Sequence, residues 1–187
     1  KDLKRLDRLI SDISSSSRLE VELAKGEFDI IDIRDVLKSV MEVTKTNITK
    51  RMNVDINLKL PKNKIETIGI GDRIAQVFYN LIDNALSFSK EGSTIDIIAT
   101  TTENEAIIEI KDQGPGIPKE NLGKIFERFY TYRPEEKSFG NNSGLGLSIC
   151  KQIIKSLNGT IIANNRLEGG SVFTVTLPLN KDRKRKK

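Results

Sequence analysis

Asp112-Gln113-Gly114-Pro115-Gly116-Ile117 follows directly on the apolar alternation that runs from Ala106 to Ile110. An acid, two glycines and a proline at the end of such a strand change the direction of the chain. One reading of the stretch is a tight turn. The other places Asp112 at the strand end as a buried hydrogen-bond acceptor, with Gly114 and Gly116 letting a flat group approach the backbone. The stretches around it must decide.

Upstream, Thr94–Thr101 and Glu105–Lys111 alternate as a hairpin turning through Glu103-Asn104, which delivers the chain to this loop. Before the hairpin, Gly71-Asp72 offers a cap for a helix running to about Ser89, with apolar positions Ile74, Val77, Phe78, Leu81, Ile82 and Ala85. Asn80 and Asn84 lie four apart on that helix, one turn from each other on the same face. Asparagine is a mediocre helix former. The pair either bonds to neighbouring backbone or supplies oxygen ligands for Mg²⁺, which prefers hard donors and shares its remaining positions with water and phosphate.

Downstream, Phe126, Phe129 and Tyr130 read either as core aromatics or as the anchor of a mobile lid formed by the polar stretch Arg133 to Asn142. Gly144-Leu145-Gly146 opens a helix with apolar positions Leu147, Ile149, Cys150, Ile153, Ile154 and Leu157, ended by Asn158-Gly159. Glycines at a helix start expose N–H groups that can face phosphate oxygens, whereas a ligand-free junction would lose helix stability for no return. Ile161–Asn164 and Ser171–Leu177, joined by Glu168-Gly169-Gly170, form a second hairpin.

Towards the N-terminus, Val54, Ile56, Leu58 and Leu60 alternate as a strand, and Phe28 to Ile33 is a short strand. Asp32 and Asp35 offer an N-cap for a helix through Val36, Leu37, Val40 and Met41. Residues 1–25 carry Leu3, Leu6, Ile10 and Ile13 along one helical seam, which must bury itself against this domain, another helix or a second chain. Lys25-Gly26-Glu27 marks the boundary. Three helices interleaved with strands give an α+β, two-layer α/β sandwich, a mixed sheet with the helices on one face, preceded by the N-terminal helix.

Composition narrows the chemistry. The chain has 187 residues, one cysteine and no histidine, which removes a disulfide framework, most zinc sites and histidine acid/base catalysis. Cys150 reads as a buried small apolar residue in a reducing compartment. The net charge of +5 is concentrated in the basic tail, residues 180–187, and no aromatics alternate with bases, so nucleic acid is not an expected partner. No apolar run approaches the roughly 20 residues of a membrane span and nothing resembles a signal peptide; any membrane anchor is expected outside this piece.

Taken in order, Asn80-Leu-Ile-Asp-Asn84-Ala85, Asp112-Gln-Gly-Pro-Gly116, Phe126-Glu-Arg-Phe129 and Ser143-Gly144-Leu145-Gly146-Leu147 resemble the N, G1, F and G2 boxes of the sensor histidine kinase ATP-binding domain, within the wider gyrase, Hsp90 and MutL ATPases. Four ordered motifs are far more specific than one, and the likeness covers nearly all of residues 30 to 178. Residues 4–13 and 17–19 resemble the second helix of a histidine kinase dimerisation hairpin, whose first, histidine-bearing helix is absent here.

The resemblance implies a Bergerat-type ATP-binding fold over residues 28–179. It also implies ATP and Mg²⁺ as cofactors and transfer of the γ-phosphoryl group to a histidine on the dimerisation domain of the same parent. A response-regulator receiver domain is the implied further partner, and the parent is implied to be a homodimer, cytoplasmic in this part and membrane-anchored elsewhere. Asp112 would read the adenine amino group. Asn84 and Asn80 would hold the metal. Gly114, Gly116, Ile117, Phe129, Gly144, Leu145, Gly146 and Leu147 would line the nucleotide, and Arg128 or Arg133 would neutralise charge on the transferring group.

Two departures from the family pattern stand out. Ser87 occupies a position where many relatives carry a base, and Asn142 replaces the first glycine of the usual GxGxG. Two other functions are compatible with the motifs: an ATP-hydrolysing clamp like Hsp90 or MutL, and a degenerate nucleotide-binding scaffold. The clamp uses a glutamate four residues before the metal asparagine to activate water; Asn80, in that place, is no base at neutral pH. Replacing Asp112 by alanine is expected to remove ATP binding and leave the fold intact.

Overall fold

The computed structural model describes residues 21, 28–45, 53–130 and 144–181. The expected N-terminal helix (all but Val21), Arg133 with the expected lid to Asn142, and residues 182–187 of the basic tail lie outside the described residues.

The first strand, β1 (Asp29–Asp32), runs straight into α1 (Ile33–Thr44). Asp32 is the hinge between them. Its backbone is extended (φ −82°, ψ 108°) and its carboxylate accepts from the Arg34 N–H at 3.1 Å, the N-cap its position predicts. The same Oδ1 accepts the Ile65 N–H at 3.2 Å, tying the cap to the segment before β3 (Glu66–Gly69), which pairs antiparallel with β1. Burial works against this carboxylate, but bonds from the Arg34 side chain and backbone and from Ile65 outweigh it and hold Asp32 below its usual range.

The β1–β3 ladder forms a separate two-stranded sheet that alternation does not reveal. In β3 the inward positions are Thr67 and Gly69, preceded by Ile65, while Ile68 points outward. Thr67 tolerates full burial because its hydroxyl donates to the Pro178 carbonyl at 2.8 Å. The apolar phase is therefore inverted over these four residues.

The main sheet has the order β2 (Asp55–Lys59), β4 (Thr94–Thr101), β5 (Glu105–Lys111), β7 (Ser171–Pro178), β6 (Thr160–Asn165). β2 and β4 are parallel and every other pair is antiparallel, so the sheet is mixed, as expected. One face carries Ile95, Ile97, Ala106, Ile108, Ile110, Ala163, Phe173 and Val175, all buried. Against it lie α1, α2 (Gly71–Phe88) and α3 (Gly146–Ser156), with α2 packed on both of the others.

Each helix meets the sheet through a three-and-four spaced stripe: Ile33, Leu37, Val40 and Met41 on α1; Ile74, Val77, Phe78, Leu81, Ile82 and Ala85 on α2; Ile149, Cys150, Ile153 and Ile154 on α3. The start of α2 differs from expectation. Ile70 is the N-cap and makes no side-chain cap bond, while Asp72 lies in the first turn, where its charge favours the positive end of the helix. α3 ends as its sequence predicts: Asn158 takes the left-handed conformation (φ 56°) and the Gly159 N–H returns to the Ile154 carbonyl at 2.9 Å.

Candidate nucleotide site

β5 leads directly into Asp112, a residue only 3% exposed. Oδ1 accepts the Gly114 N–H at 2.8 Å and the Ser171 N–H at 3.1 Å, and Oδ2 accepts the Ser171 hydroxyl. Two lone pairs of Oδ1 are thereby used and one of Oδ2, which leaves Asp112 one acceptor position for an outside donor. The strand-end carboxylate is a buried acceptor, as the second reading of the loop requires.

The glycines beside it have a different reason from the expected one. A Cβ on Gly114 would stand 3.0 Å from both Asp112 Oδ1 and the Phe88 carbonyl oxygen, and one on Gly116 would stand 2.9 Å from Asn165 Oδ1. Gly116 also has φ +78°. Both residues are small so that the loop can fold onto its own acid and onto the β6–β7 hairpin. The Ile117 N–H donates to Asn165 Oδ1 at 2.7 Å and the Asn165 Nδ2 donates back to the Ile117 carbonyl at 2.6 Å. Arg166 Nη1 donates to the Asp112 carbonyl at 2.8 Å, and a Cβ on Gly170 would collide with that same carbonyl.

These bonds also correct the expectation for Asp112→Ala. The substitution would orphan three donors, two of them on buried Ser171, so it must weaken the fold along with any ligand contact. Ser171, Asn165 and Arg166 escape the sequence reading. The only signal for them is the Gly169-Gly170 pair (φ +90° and +87°) that sharpens the hairpin bringing them over the loop.

On the neighbouring wall, Asn80 and Asn84 share a face of α2, both partly exposed. Asn80 Nδ2 donates to the Gly146 carbonyl at 3.3 Å, binding α2 to the first turn of α3. The Asn84 side-chain amide has no protein partner among the described residues, while its backbone carbonyl accepts the Ser87 hydroxyl at 2.8 Å. Ser87 thus spends its hydroxyl within its own helix. No group of three or more His, Cys, Asp or Glu among the described residues could hold a metal by itself. The donor set fits an ion held by one or two amide oxygens that keeps its other positions for water and phosphate, as Mg²⁺ does.

Gly144 has φ +76° and its carbonyl accepts the Phe129 N–H at 3.1 Å, so the residues flanking 131–143 meet across that segment. Phe129 is 59% exposed and itself left-handed (φ 63°), an uncommon state for a bulky residue. Phe126 is buried edge-to-face on Phe173, with centroids 6.3 Å apart, and Lys151 Nζ lies 5.8 Å from its ring. The F-box pair therefore divides: Phe126 is core and Phe129 faces outward. Arg128 is exposed on the same turn, Leu145 is buried, and Gly146, Leu147 and Ile117 are half-buried. A Cβ on Gly146 would come no closer than 3.7 Å to Asn80, so no steric demand explains that glycine.

Cys150 closes the seam between α2 and α3. Its thiol faces the Val77 carbonyl at 3.7 Å, and burial pushes it up to about 12 against a smaller opposing effect of the Asn80 side chain. It is an inert core thiol, in keeping with its place in the helical pattern.

The fold places the four motifs around one region, and residues 69–181 match the family described as histidine kinase-, DNA gyrase B-, and HSP90-like ATPase. The chain belongs to this ATPase family. Among relatives, the sensor protein ChvG of Agrobacterium fabrum is 39% identical over 188 residues, covering 95% of this chain and 32% of that protein. The chain therefore spans about a third of that relative's length. Among solved structures, the catalytic domain of histidine kinase ThkA superposes with a TM-score of 0.72 at 28% identity, covering 82% of this chain and 98% of that domain. ThkA in complex with the response regulator protein TrrA matches with a TM-score of 0.69 at 27% identity, over 90% of this chain and 49% of that one. The chain is thus an α+β domain of this ATPase family, similar to sensor proteins and to the catalytic domain of a histidine kinase.

Proposed function

We propose that residues 28–179 are the catalytic domain of a sensor kinase, which binds Mg·ATP and passes the γ-phosphoryl group to a histidine carried by another segment of the parent protein. In this reading Asp112 accepts the adenine amino group through its remaining lone pair. Asn84 supplies an amide oxygen to Mg²⁺, with Asn80 beside it, and the ion, when bound, neutralises charge on the phosphate oxygens. Gly144 and Gly146 bring the start of α3 to the phosphates, and Arg128 or Arg133 offsets charge on the transferring group.

The carrying observation is the nature of residue 80. Its amide is a hydrogen-bond donor to the Gly146 carbonyl and cannot take a proton from water, so the site lacks the base that a hydrolysing clamp needs at this position. A nucleophile that needs little activation is required instead. An imidazole nitrogen attacks the γ-phosphorus, the bond to the β,γ-bridging oxygen breaks, ADP departs with that electron pair, and the imidazole proton passes to solvent. Since the chain contains no histidine, it cannot be the acceptor.

The seam over residues 1–25 is proposed to belong to the dimerisation hairpin of a homodimeric parent. That parent is proposed to be membrane-anchored, with this part in the cytoplasm and a response regulator as the next acceptor. No helix among the described residues is long and apolar enough to cross a membrane. The test is incubation with γ-labelled ATP, alone and with a separate polypeptide carrying a histidine-bearing hairpin, followed by acid. Acid-labile label on the hairpin and none on this chain is expected. Acid-stable label on this chain, or fast phosphate release with no label, would overturn the reading.

A further inference from the structure

The pair of hydrogen bonds between Asn165 and Ile117 has the form of a β-ladder pair in which one side chain stands in for a second strand. Oδ1 takes the Ile117 N–H at 2.7 Å and Nδ2 gives to the Ile117 carbonyl at 2.6 Å, so one planar amide reads both polar groups of one residue. The same hairpin grips the opposite end of the loop. Arg166 donates to the Asp112 carbonyl at 2.8 Å and is steadied by Glu168 at 3.1 Å, while the Asp112 N–H donates to the Ser171 carbonyl at 3.0 Å. The six residues from Asp112 to Ile117 are held at both ends by one turn of chain.

Between those two grips lie Gly114 and Gly116, the residues with most conformational freedom to lose. The grip at the Asp112 end is built into the β5–β7 ladder. At the Ile117 end the side chain of Ile117 packs against the core, but among the described residues both of its backbone polar groups are held by one exposed side chain, Asn165. Through Ile117, Asn165 ties down the far end of the loop that begins at Asp112.

We infer that Asn165 is a positioning residue for the base of the nucleotide: by clamping Ile117 it holds the loop in the one arrangement that leaves the Asp112 acceptor open and a flat surface beside it. The inference rests on the reading of the Asp112 loop as the base site. Without the clamp the glycines spread the loop over several arrangements, and affinity falls by the fraction that remains competent, about tenfold for a loop that is competent a tenth of the time. The loss should be the same for every ligand that carries the base, since the phosphate-facing residues are untouched.

The experiment compares wild type, Asn165→Ala, Asn165→Asp and Asp112→Asn, titrated with adenosine, ADP and Mg·ATP by amide chemical shifts well below their thermal midpoints. Asn165→Ala is expected to lose about tenfold for all three ligands, with the Ile117 amide signal moved and exchanging faster. Asn165→Asp, which turns the donor towards the Ile117 carbonyl into a second acceptor, should lose at least as much. Asn165→Ala binding within twofold of wild type, or a loss confined to the phosphate-bearing ligands, would overturn the inference while leaving the base site standing if Asp112→Asn still weakens binding of all three roughly a hundredfold. If Asp112→Asn binds all three as wild type does, the base site and the inference fall together.

Discussion

The two ends of the candidate site are built in opposite ways. At the Asp112 end, the acid and Ile117 are engaged by the β6–β7 hairpin in short, directed hydrogen bonds, the Gly114 N–H bonds the acid itself, and Asp112 is buried. At the Asn84 end, the wall is the half-exposed face of α2, where Asn80 reaches α3 through a hydrogen bond of 3.3 Å, and the Asn84 side chain has no protein partner among the described residues. A flat, neutral base is recognised by a rigid acceptor that is already in place. A triphosphate with its ion brings its own charge and its own oxygen ligands, so the protein need supply only a few groups around it. Under the proposed reading, the difference would make the first end the seat of selectivity and the second the seat of metal dependence.

The largest effect should come from the rigid end. Asp112→Asn keeps an oxygen for the Gly114 and Ser171 N–H groups but points an NH₂ at the base. It should lower ATP affinity roughly a hundredfold, about 2–3 kcal/mol, at modest cost in stability. Asp112→Ala should lose binding and also several kcal/mol of stability, through its three orphaned donors, about 1–3 kcal/mol for each buried one. Calorimetric titration alongside urea unfolding separates the two variants. Equal affinity of Asp112→Asn and wild type would break the comparison.

At the open end, Asn84→Ala should weaken Mg·ATP about tenfold and metal-free ADP hardly at all, because a lost oxygen ligand is felt through the ion. Titrations with Mg²⁺ and with a chelator decide this. Equal losses in both conditions would make Asn84 a structural residue.

A smaller effect tests whether the seam behind the open end is dry. The Cys150 thiol is raised from 9.0 to about 12 in the folded chain. A raised value means that the neutral form is favoured by folding. The stability it contributes is complete below about pH 9 and is lost as pH rises from about 9 towards about 12, at up to about 1.4 kcal/mol per pH unit. Urea unfolding of wild type and Cys150→Ala near pH 8 and near pH 10 should show the wild type losing more between the two. A parallel decline in both proteins would mean that water reaches the α2–α3 seam.

The smallest effect is expected far from both ends. Asp32→Ala removes the α1 cap and should cost about 1 kcal/mol, with ATP affinity unchanged. The depressed carboxylate means that this contribution is present at neutral pH and fades as pH falls below the ordinary carboxylate range. A change in affinity would show that the β1–β3 ladder communicates with the site.

The hairpins, the three helices and the residues of the four motifs were legible in the chain because each rests on a short-range regularity: alternation for β4 and β5, three-and-four spacing for α2 and α3, glycine where the backbone turns. The β1–β3 ladder was not. Four-residue strands carry little pattern, and Thr67 fills a core position that only a carbonyl from β7 makes acceptable. Gly71-Asp72 misled by one step, since glycine and acid suit a cap and a first turn equally well.

By itself the sequence determined the chemistry available: one acid at a strand end, two asparagines on one helical face, glycines opening α3, no histidine to receive a phosphoryl group. These are properties of residue type and of spacing within a single element. Only the tertiary structure decided which lone pair of Asp112 stays open, why Gly114 and Gly116 must be small, that Phe126 is core while Phe129 is not, and that Asn165, Arg166 and Ser171 bond to the Asp112–Ile117 loop. Those three lie 48 to 59 residues from their partners in the loop. Their hydrogen bonds exist only because β7 pairs with β5 and carries the hairpin turn over the strand end, and no local pattern encodes that pairing.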